Sequence, residues 1–323
     1  MLSLVLCLVL CHSCKPSGST EEAAGIPVIL DTDTNNELDD QHAIAYLLLN
    51  GESLNTVGIT VNATSNGGEI GKHMEEAQRV IKLCGFEGKV PLLEGANRNF
   101  REIREQLDKK EHDGYQAVDF IIEEAMKKRK QKLVLLPVGK LSNIALALEK
   151  EPRIAERVKV VWLGANYPDP GEYNLVNDTA SMNYVLNTKV PFEMVTVRYG
   201  EESGTHAVKV RRKSIYLRMP GMGPQIEEAV EGRHGSSFHC FGDYSVNLFR
   251  HIRELEEGCY RSLYDMAAVA IVKNQHWADS REIPCPAYLD GKWVERPDNK
   301  RKIILRENFA TEAILEDFFS TLD

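Results

Sequence analysis

The chain has 323 residues, of which 43% are hydrophobic and 27% are charged, and its formal net charge at pH 7 is -9. This composition excludes a largely disordered chain, because enough apolar side chains are present to fill a sizeable core. The negative charge argues against a nucleic-acid backbone or an anionic membrane surface as the main partner and favours small neutral or cationic ligands.

The N-terminal segment, residues 1–23, is predicted to be an export leader followed by a flexible stretch. Residues 2–10 are apolar except for Ser3. This run is too short to span a membrane but has the length of a signal-peptide core. Cys14 precedes a polar stretch and resembles the acylated cysteine of a bacterial lipoprotein, which predicts a lipid anchor there. We therefore expect an exported protein, periplasmic or membrane-anchored, with a disordered apolar tail as the alternative.

Residues 24–323 are predicted to form one domain in which short β-rich runs alternate with amphipathic helices. Such alternation is typical of an α/β fold with a mainly parallel central sheet flanked by helices. The strand candidates are residues 27–30, 56–61, 132–138, 158–163 and 192–197. The helix candidates are residues 43–49, 69–83, 117–128, 142–149, 179–186, 244–255 and 265–272. Residues 200–242 are richer in charge, Gly and Pro and are predicted to form a helical excursion over the active face.

Four aspartates follow the first predicted strand within ten residues: Asp31, Asp33, Asp39 and Asp40. In an open α/β sheet, ligands bind in the crevice at the carboxyl ends of the strands. Adjacent carboxylates repel one another unless protons or a cation neutralise them. Oxygen donors without a nearby His or Cys are typical ligands of calcium or magnesium. The turn therefore predicts a divalent-cation site, although Asp39 and Asp40 could instead only complement a helix dipole.

Further polar side chains follow the later strands or open the last predicted helix. They are Asn62, Asn66, Asn166, Glu172, Asn174 and Asp265. A single Asn or Asp after a strand is more often a turn or cap residue than a ligand. Several such side chains at one edge of a sheet nevertheless predict a polar cup around the aspartates.

Five segments between residue 29 and about residue 272 match, in order, the motifs of one known enzyme family. The family motif DTDPGxDD corresponds to residues 31–40, DTDTNNELDD, with two extra residues between the acidic pairs. GIT followed by an Asn corresponds to residues 58–60 with Asn62 or Asn66. PTGPLTNLALAL corresponds to residues 137–148, PVGKLSNIALAL. The Met-Gly-Gly strand end with AEFNIxxDPEAA corresponds to residues 163–165 and 171–178, and HDPLAVA corresponds to residues 264–270, YDMAAVA. On these motifs the chain resembles the nucleoside hydrolase family, the inosine-uridine-preferring nucleoside N-ribohydrolases.

The resemblance implies a nucleoside hydrolase fold and a calcium-dependent enzyme that hydrolyses the N-glycosidic bond of ribonucleosides to ribose and free base. It makes Asp31 both a calcium ligand and the general base for the attacking water. The other implied calcium ligands are Asp40, Asp265 and the main-chain carbonyl of Val138. The implied nucleoside-binding side chains are Asp39, Asn62, Asn66, Asn166, Glu172 and Asn174. Family members are often dimers or tetramers, so a homo-oligomer is a further expectation.

The resemblance also bears on Asp33 and Tyr264. Asp33 is expected to orient its neighbours rather than to touch the metal. Tyr264 stands where part of the family has a histidine that helps the base to leave. The leaving-group candidates are therefore Tyr264, His239 and His112, each of which could instead be an ordinary surface or core residue.

Two other functions fit parts of the sequence. Tyr264 and the altered first loop would suit a nucleoside or sugar binder that kept the metal cup and lost turnover. The string ILDTDT also fits the opening motif of haloacid-dehalogenase-type phosphatases, with Asp31 as nucleophile and Asp33 as general acid around magnesium. Those enzymes need a separate downstream acidic pair, whereas here the pair follows within ten residues, which favours the hydrolase.

Overall fold

The computed structural model describes residues 25–252 and 255–323. Its strands are β1 (Ile26–Thr32), β2 (Leu54–Val61), β3 (Leu92–Glu94), β4 (Leu133–Pro137), β5 (Val158–Ala165), β6 (Phe192–Thr196), β7 (Lys209–Arg211), β8 (Val230–Glu231), β9 (Ser237–Phe238), β10 (Tyr260–Ser262), β11 (Asp279–Pro284), β12 (Ala287–Leu289), β13 (Lys292–Val294) and β14 (Lys302–Glu307). Its α-helices are α1 (Asp39–Leu49), α2 (Ile70–Leu83), α3 (Phe100–Ile103), α4 (Tyr115–Met126), α5 (Ser142–Lys150), α6 (Tyr173–Asn177), α7 (Thr179–Asn187), α8 (Arg212–Arg218), α9 (Phe241–His251), α10 (Tyr264–Lys273) and α11 (Thr311–Leu322).

The central sheet has eight strands in the order β11-β14-β6-β5-β4-β1-β2-β3. Neighbouring strands are parallel from β14 to β3, and only the edge strand β11 runs antiparallel to its neighbour β14. The remaining strands form three two-stranded antiparallel sheets, which pair β7 with β10, β8 with β9 and β12 with β13. All the central strands except β11 therefore end at the same edge of the sheet.

Apolar side chains pack on both faces of this sheet. In β1, Val28 and Leu30 belong to one core, whereas Ile29 between them belongs to the other. This alternation follows from the pleat, because successive side chains of a strand point to opposite faces. Helices α1, α2, α9, α10 and α11 contribute to the first core and helices α4, α5 and α7 to the second, so both faces are covered, as is usual for parallel sheets.

The predicted single α/β domain with a mainly parallel sheet is confirmed. All five predicted strands are present, and their ends agree with the observed ones to within two residues. The predicted helices are also present, although α1 begins earlier than predicted and α9 is displaced toward the N-terminus. Among the elements that the sequence-based prediction missed are the edge strands β3 and β11 of the central sheet, strand β14 and the last helix α11. Residues 200–242 contain α8 together with short strands rather than a purely helical excursion.

The predicted export leader and the lipid anchor at Cys14 lie outside the described residues and stay predictions. Among the helices that are described, none combines the length and the apolar character that crossing a membrane would require.

Candidate active site

Two helices begin side by side, and their first turns carry three aspartates. Helix α1 starts with Asp39 and Asp40, and helix α10, which packs against it, has Asp265 in its first turn. All three residues are buried, and a carboxylate oxygen from each lies within 4.8 Å of the others. The positive ends of both helix dipoles therefore favour negative charge at this point. We call these three residues the acidic cluster.

The acidic cluster lines a cavity of about 320 Å³ at the carboxyl edge of the sheet. Val138 follows β4 and Val197 follows β6, and both contribute to the wall. The predicted site residues that line the cavity are Asp33, Asp39, Asp40, Asn66, Val138, Glu172, Asn174, Tyr264 and Asp265. The structure therefore brings together most of the residues that the sequence singled out.

Asp31 and Asp33 occupy different environments. Asp31 is still within β1, where its side chain is fully buried behind the cavity wall. Its carboxylate accepts hydrogen bonds from Thr60 Oγ1 (2.7 Å), Asn143 Nδ2 (2.7 Å) and Asn62 Nδ2 (3.0 Å). Asp33 follows the end of the strand and lines the cavity. The expected roles of Asp31 as base and ligand, and of Asp33 as a supporting residue, do not fit these positions.

Two of the four predicted amides are not among the residues that line the cavity. Asn62 is buried and donates to Asp31, and its Oδ1 has no hydrogen-bond partner. Asn166 accepts a hydrogen bond from the backbone N–H of Tyr199 (2.9 Å). Neither Asn62 nor Asn166 lines the cavity, so their expected contact with the nucleoside is not supported.

The other two predicted amides line the cavity. Asn174 donates from Nδ2 to the carbonyl oxygens of Val138 (2.8 Å) and Leu163 (3.1 Å), and so fixes the ends of two strands. Asn66 is exposed, and its backbone N–H donates to the hydroxyl of Tyr173 (2.8 Å).

Glu172 combines a capping role with a place in the cavity wall. Its carboxylate accepts hydrogen bonds from the backbone N–H groups of Asn174 (3.0 Å) and Leu175 (2.9 Å), at the start of α6. Its φ is 150°, a backbone region that is strained for any residue except glycine. Burial is the main cause that raises the pKa of Glu172 to about 7. A strained, buried carboxyl group on a cavity wall is typical of a functional position.

The carboxyl groups around the cavity are hard to ionise together. Burial raises the pKa of Asp33 to about 6, and burial also raises the pKa of each member of the acidic cluster. The negative charges of Asp33 and Asp39 raise the pKa of Asp40 further, and those of Asp39 and Asp40 do the same for Asp265. A bound divalent cation would remove this repulsion. The donors are buried carboxylate oxygens, and the cluster contains no His or Cys among the described residues, so it fits a hard cation.

Aromatic side chains form another part of the wall. Tyr264 and Tyr199 both line the cavity, with their ring centroids 6.1 Å apart in an edge-to-face arrangement. The other two leaving-group candidates lie elsewhere. His239 is exposed and lies beside the carbonyl oxygen of Ile226, and His112 is buried outside the cavity wall. Only Tyr264 of the three candidates is therefore placed to contact a ligand.

Sequence reasoning missed a charged pair at the cavity wall. Arg261 donates from Nη2 to Glu37 Oε2 (2.6 Å) and lies 3.8 Å from Asp39 Oδ1. Glu37 belongs to the loop between the two acidic pairs, and the two extra residues of that loop already indicated that the cavity wall differs there. Arg261 had no comparable signal, because it lies in β10, outside the central sheet.

This fold and this cavity define an α/β protein with an acidic ligand site at the carboxyl edge of a parallel sheet. Residues 28–302 match the family model described as inosine-uridine preferring nucleoside hydrolase. The chain is 30% identical over 297 residues to the enzyme of that name from Crithidia fasciculata and 26% identical over 289 residues to that from Leishmania major; each match covers 82% of this chain and 84% of the relative.

Solved structures of similar fold agree with the sequence matches. A plant nucleoside hydrolase has a TM-score of 0.71 at 17% identity, and a purine-preferring ribonucleoside hydrolase from Gardnerella vaginalis has 0.70 at 20% identity. Each comparison covers 92% of this chain and 98% of the other. The chain belongs to the inosine-uridine preferring nucleoside hydrolase family. It is an N-glycosyl hydrolase that acts on nucleosides, as the sequence analysis predicts.

Proposed function

We propose that this enzyme is a calcium-dependent ribonucleoside hydrolase that releases ribose and a free base. The observation that carries the proposal is the acidic cluster, where buried carboxylates from two helix N-termini converge in a cavity. Asp40, Asp265, Asp33 and the carbonyl oxygen of Val138 would hold the ion. Calcium suits such a set because it accepts six to eight oxygen ligands with flexible geometry. When bound, it would lower the pKa of a water molecule and orient the vicinal hydroxyls of the sugar.

Asp33 takes over the role that the motif assigned to Asp31. Its carboxyl group lines the cavity, whereas the oxygens of Asp31 already accept three hydrogen bonds from neighbouring side chains. As general base, Asp33 would accept the proton of the attacking water. Asp31 would then fix the amides of Asn62 and Asn143 beneath the site.

The sugar is held by further polar groups that line the cavity. Asp39, Asn174 and Glu172 supply carboxylate and amide oxygens for its hydroxyl groups. Positive charge grows on the ribosyl ring as the N-glycosidic bond stretches, and these oxygens stabilise it. Among the described residues that line the cavity, carboxylates far outnumber the cation Arg261, which suits a cationic transition state.

Neither alternative function has comparable support. A phosphatase would need Asp31 as an accessible nucleophile, but its side chain is buried and bonded away from the cavity. An acidic wall would also repel a phosphomonoester. A binder without turnover is favoured only by the replacement of the expected histidine by Tyr264, whereas the family matches indicate an N-glycosyl hydrolase.

The test incubates the purified chain with purine and pyrimidine ribonucleosides and measures the ribose released with a reducing-sugar assay. The chain is first treated with EDTA and then supplied with calcium or magnesium. We expect calcium to restore release, and 4-nitrophenyl phosphate to yield no phosphate. Calcium-dependent nucleoside binding by calorimetry without sugar release would favour the binder, and restoration by magnesium alone would overturn the choice of ion.

A further inference from the structure

Tyr264, on the cavity wall, is hydrogen-bonded to a histidine that no sequence motif marks. Nδ1 of His206 lies 3.1 Å from the hydroxyl oxygen of Tyr264, and the two rings are 6.1 Å apart. His206 belongs to a single helical turn, Thr205–Ala207, and its backbone N–H donates to the carbonyl oxygen of Val197 (3.0 Å). The histidine is therefore tied to the end of the sheet that builds the cavity.

The opposite side of the same imidazole faces a carboxylate. Nε2 of His206 lies 3.4 Å from Oε2 of Glu256. Ser262 holds this carboxylate by donating from its hydroxyl (2.7 Å) and from its backbone N–H (3.2 Å), and Lys209 Nζ lies 3.4 Å away. The hydroxyl of Ser262 also lies 2.9 Å from the carbonyl oxygen of His206. Glu256, His206 and Tyr264 thus form a continuous chain that ends at the cavity.

We propose that Tyr264 is the catalytic group that stabilises the leaving base, and that His206, backed by Glu256, is the positioning residue that directs its hydroxyl. The inference rests on the proposed function, which it deepens. Contact with Nδ1 fixes the hydroxyl oxygen of Tyr264 at the cavity wall. The carboxylate of Glu256 beside Nε2 and the backbone hydrogen bond to Val197 fix the imidazole ring in turn.

The electron balance of the step is simple. The C1′–N bond breaks, its electron pair stays on the base nitrogen, and the Tyr264 hydroxyl donates a hydrogen bond to that nitrogen. The attacking water forms the new C1′–O bond and gives its proton to Asp33, and the departing base takes a proton from solvent. Removing one such donor at a site of developing charge typically lowers kcat by about 100-fold to 1000-fold.

The experiment compares two substrates in variants of the full chain, at constant pH and saturating calcium. A natural nucleoside needs help to expel its base, whereas 4-nitrophenyl β-riboside expels a phenolate that is stable without it. We expect Tyr264→Phe to lower kcat on the nucleoside by roughly 100-fold and His206→Ala by about 10-fold or more, with kcat on the nitrophenyl riboside changed by less than about threefold. The double variant should lose no more than Tyr264→Phe alone, because His206 acts through the tyrosine. His239→Ala, which removes an exposed histidine outside the cavity, is the matched control.

A second measurement does not depend on turnover. In metal-free protein labelled with 15N-histidine, the Nδ1 resonance of His206 should shift in Tyr264→Phe, and the Nε2 resonance should shift in Glu256→Gln. Equal losses on both substrates in His206→Ala, or unchanged nucleoside turnover, would overturn this inference and leave the proposed function standing. If the unaltered chain hydrolyses neither substrate, the proposed function itself fails.

Discussion

Replacing Asp33 or Asp31 by asparagine is the sharpest test of the site, because the first change should lower activity and the second should lower stability. Asp33 lines the cavity and would serve as both base and ligand. A positioned general base contributes about 100-fold to 10,000-fold in rate. We therefore expect Asp33→Asn to lower kcat/KM by about 1000-fold or more, equivalent to about 4 kcal/mol of transition-state stabilisation, and to weaken calcium binding.

Asp31→Asn should instead destabilise the fold. The carboxylate accepts from Thr60 and Asn143 at one oxygen and from Asn62 at the other. An asparagine has only one acceptor oxygen, so its amide nitrogen must face at least one of these donors. Leaving a buried donor unpaired costs about 1–3 kcal/mol. In a chain of this size we expect a melting temperature lower by roughly 2–5 °C. The folded variant should keep kcat within about tenfold of the original.

The assays are ribose release, calcium titration by calorimetry and thermal melting, all on the same three proteins. The unaltered chain sets the scale for each. If Asp31→Asn abolished turnover without lowering the melting temperature, while Asp33→Asn kept most of its activity, the assignment of the base to Asp33 would be wrong.

Three further predictions follow from the cavity. Gly139→Ala should weaken calcium binding and lower turnover, because the added Cβ would lie 2.9 Å from the Asn62 amide and 3.1 Å from Asp33 Oδ1. Gly51 has open space around it, so Gly51→Ala is a control that should change neither. Arg261→Gln should tighten calcium binding by roughly tenfold at pH 8, measured by calorimetry, because it removes a positive charge beside the acidic cluster; weaker binding would contradict this reasoning. Burial raises the pKa of Asp31 and of Glu172 to about 7 and also raises the pKa of Asp265. When the pH falls from 8.0 to 6.5, the folded metal-free protein therefore binds protons that the unfolded chain does not, and its free energy of unfolding should rise by about 2 kcal/mol or more. Their stabilisation is lost as the pH rises through about 7, so a melting temperature in EDTA that is higher at pH 8.0 would contradict the origin of the shift.

The parallel part of the fold was predictable because its strands are short buried runs bounded by polar turns. Strand β4, for example, is buried at every position. The edge strand β11 gave no such signal, because four of its six residues are exposed. Strand β14 pairs with β6 in the sheet although more than 100 residues separate them, as the pair Leu305 and Met194 illustrates. Sequence patterns carry little information about a pairing at that distance.

The choice between Asp31 and Asp33 shows what motif spacing leaves open. Both residues belong to the same short motif, and composition does not distinguish them. Strand alternation does: Asp31 has the same parity as Ile29, so it points to the face that the second core and Asn143 cover. Asp33 is the first residue beyond the strand, where a side chain can turn toward the crevice. The alternation of side chains along β1 would therefore have separated the roles of Asp31 and Asp33, but only if the residue at which β1 ends had been known.

The residues on the base side could not be placed from the sequence for a different reason. Tyr199, His206 and Arg261 all lie in the region between the sheet strand β6 and helix α10. Their approach to the cavity depends on how that region folds back over the sheet, and neither helical nor strand periodicity records this.

The arrangement of α10 explains how the metal side and the base side of one cavity can differ independently. Asp265 lies in the first turn of α10, and α10 packs against α1. This packing holds the carboxylate of Asp265 beside those of Asp39 and Asp40. The preceding residue, Tyr264, begins the same helix and also lines the cavity, but none of the cluster's carboxylates depends on its identity. A histidine or a tyrosine can therefore occupy that position without displacing the acidic cluster. Replacing the side chain there changes which neighbour must direct it, and in this chain that neighbour is His206.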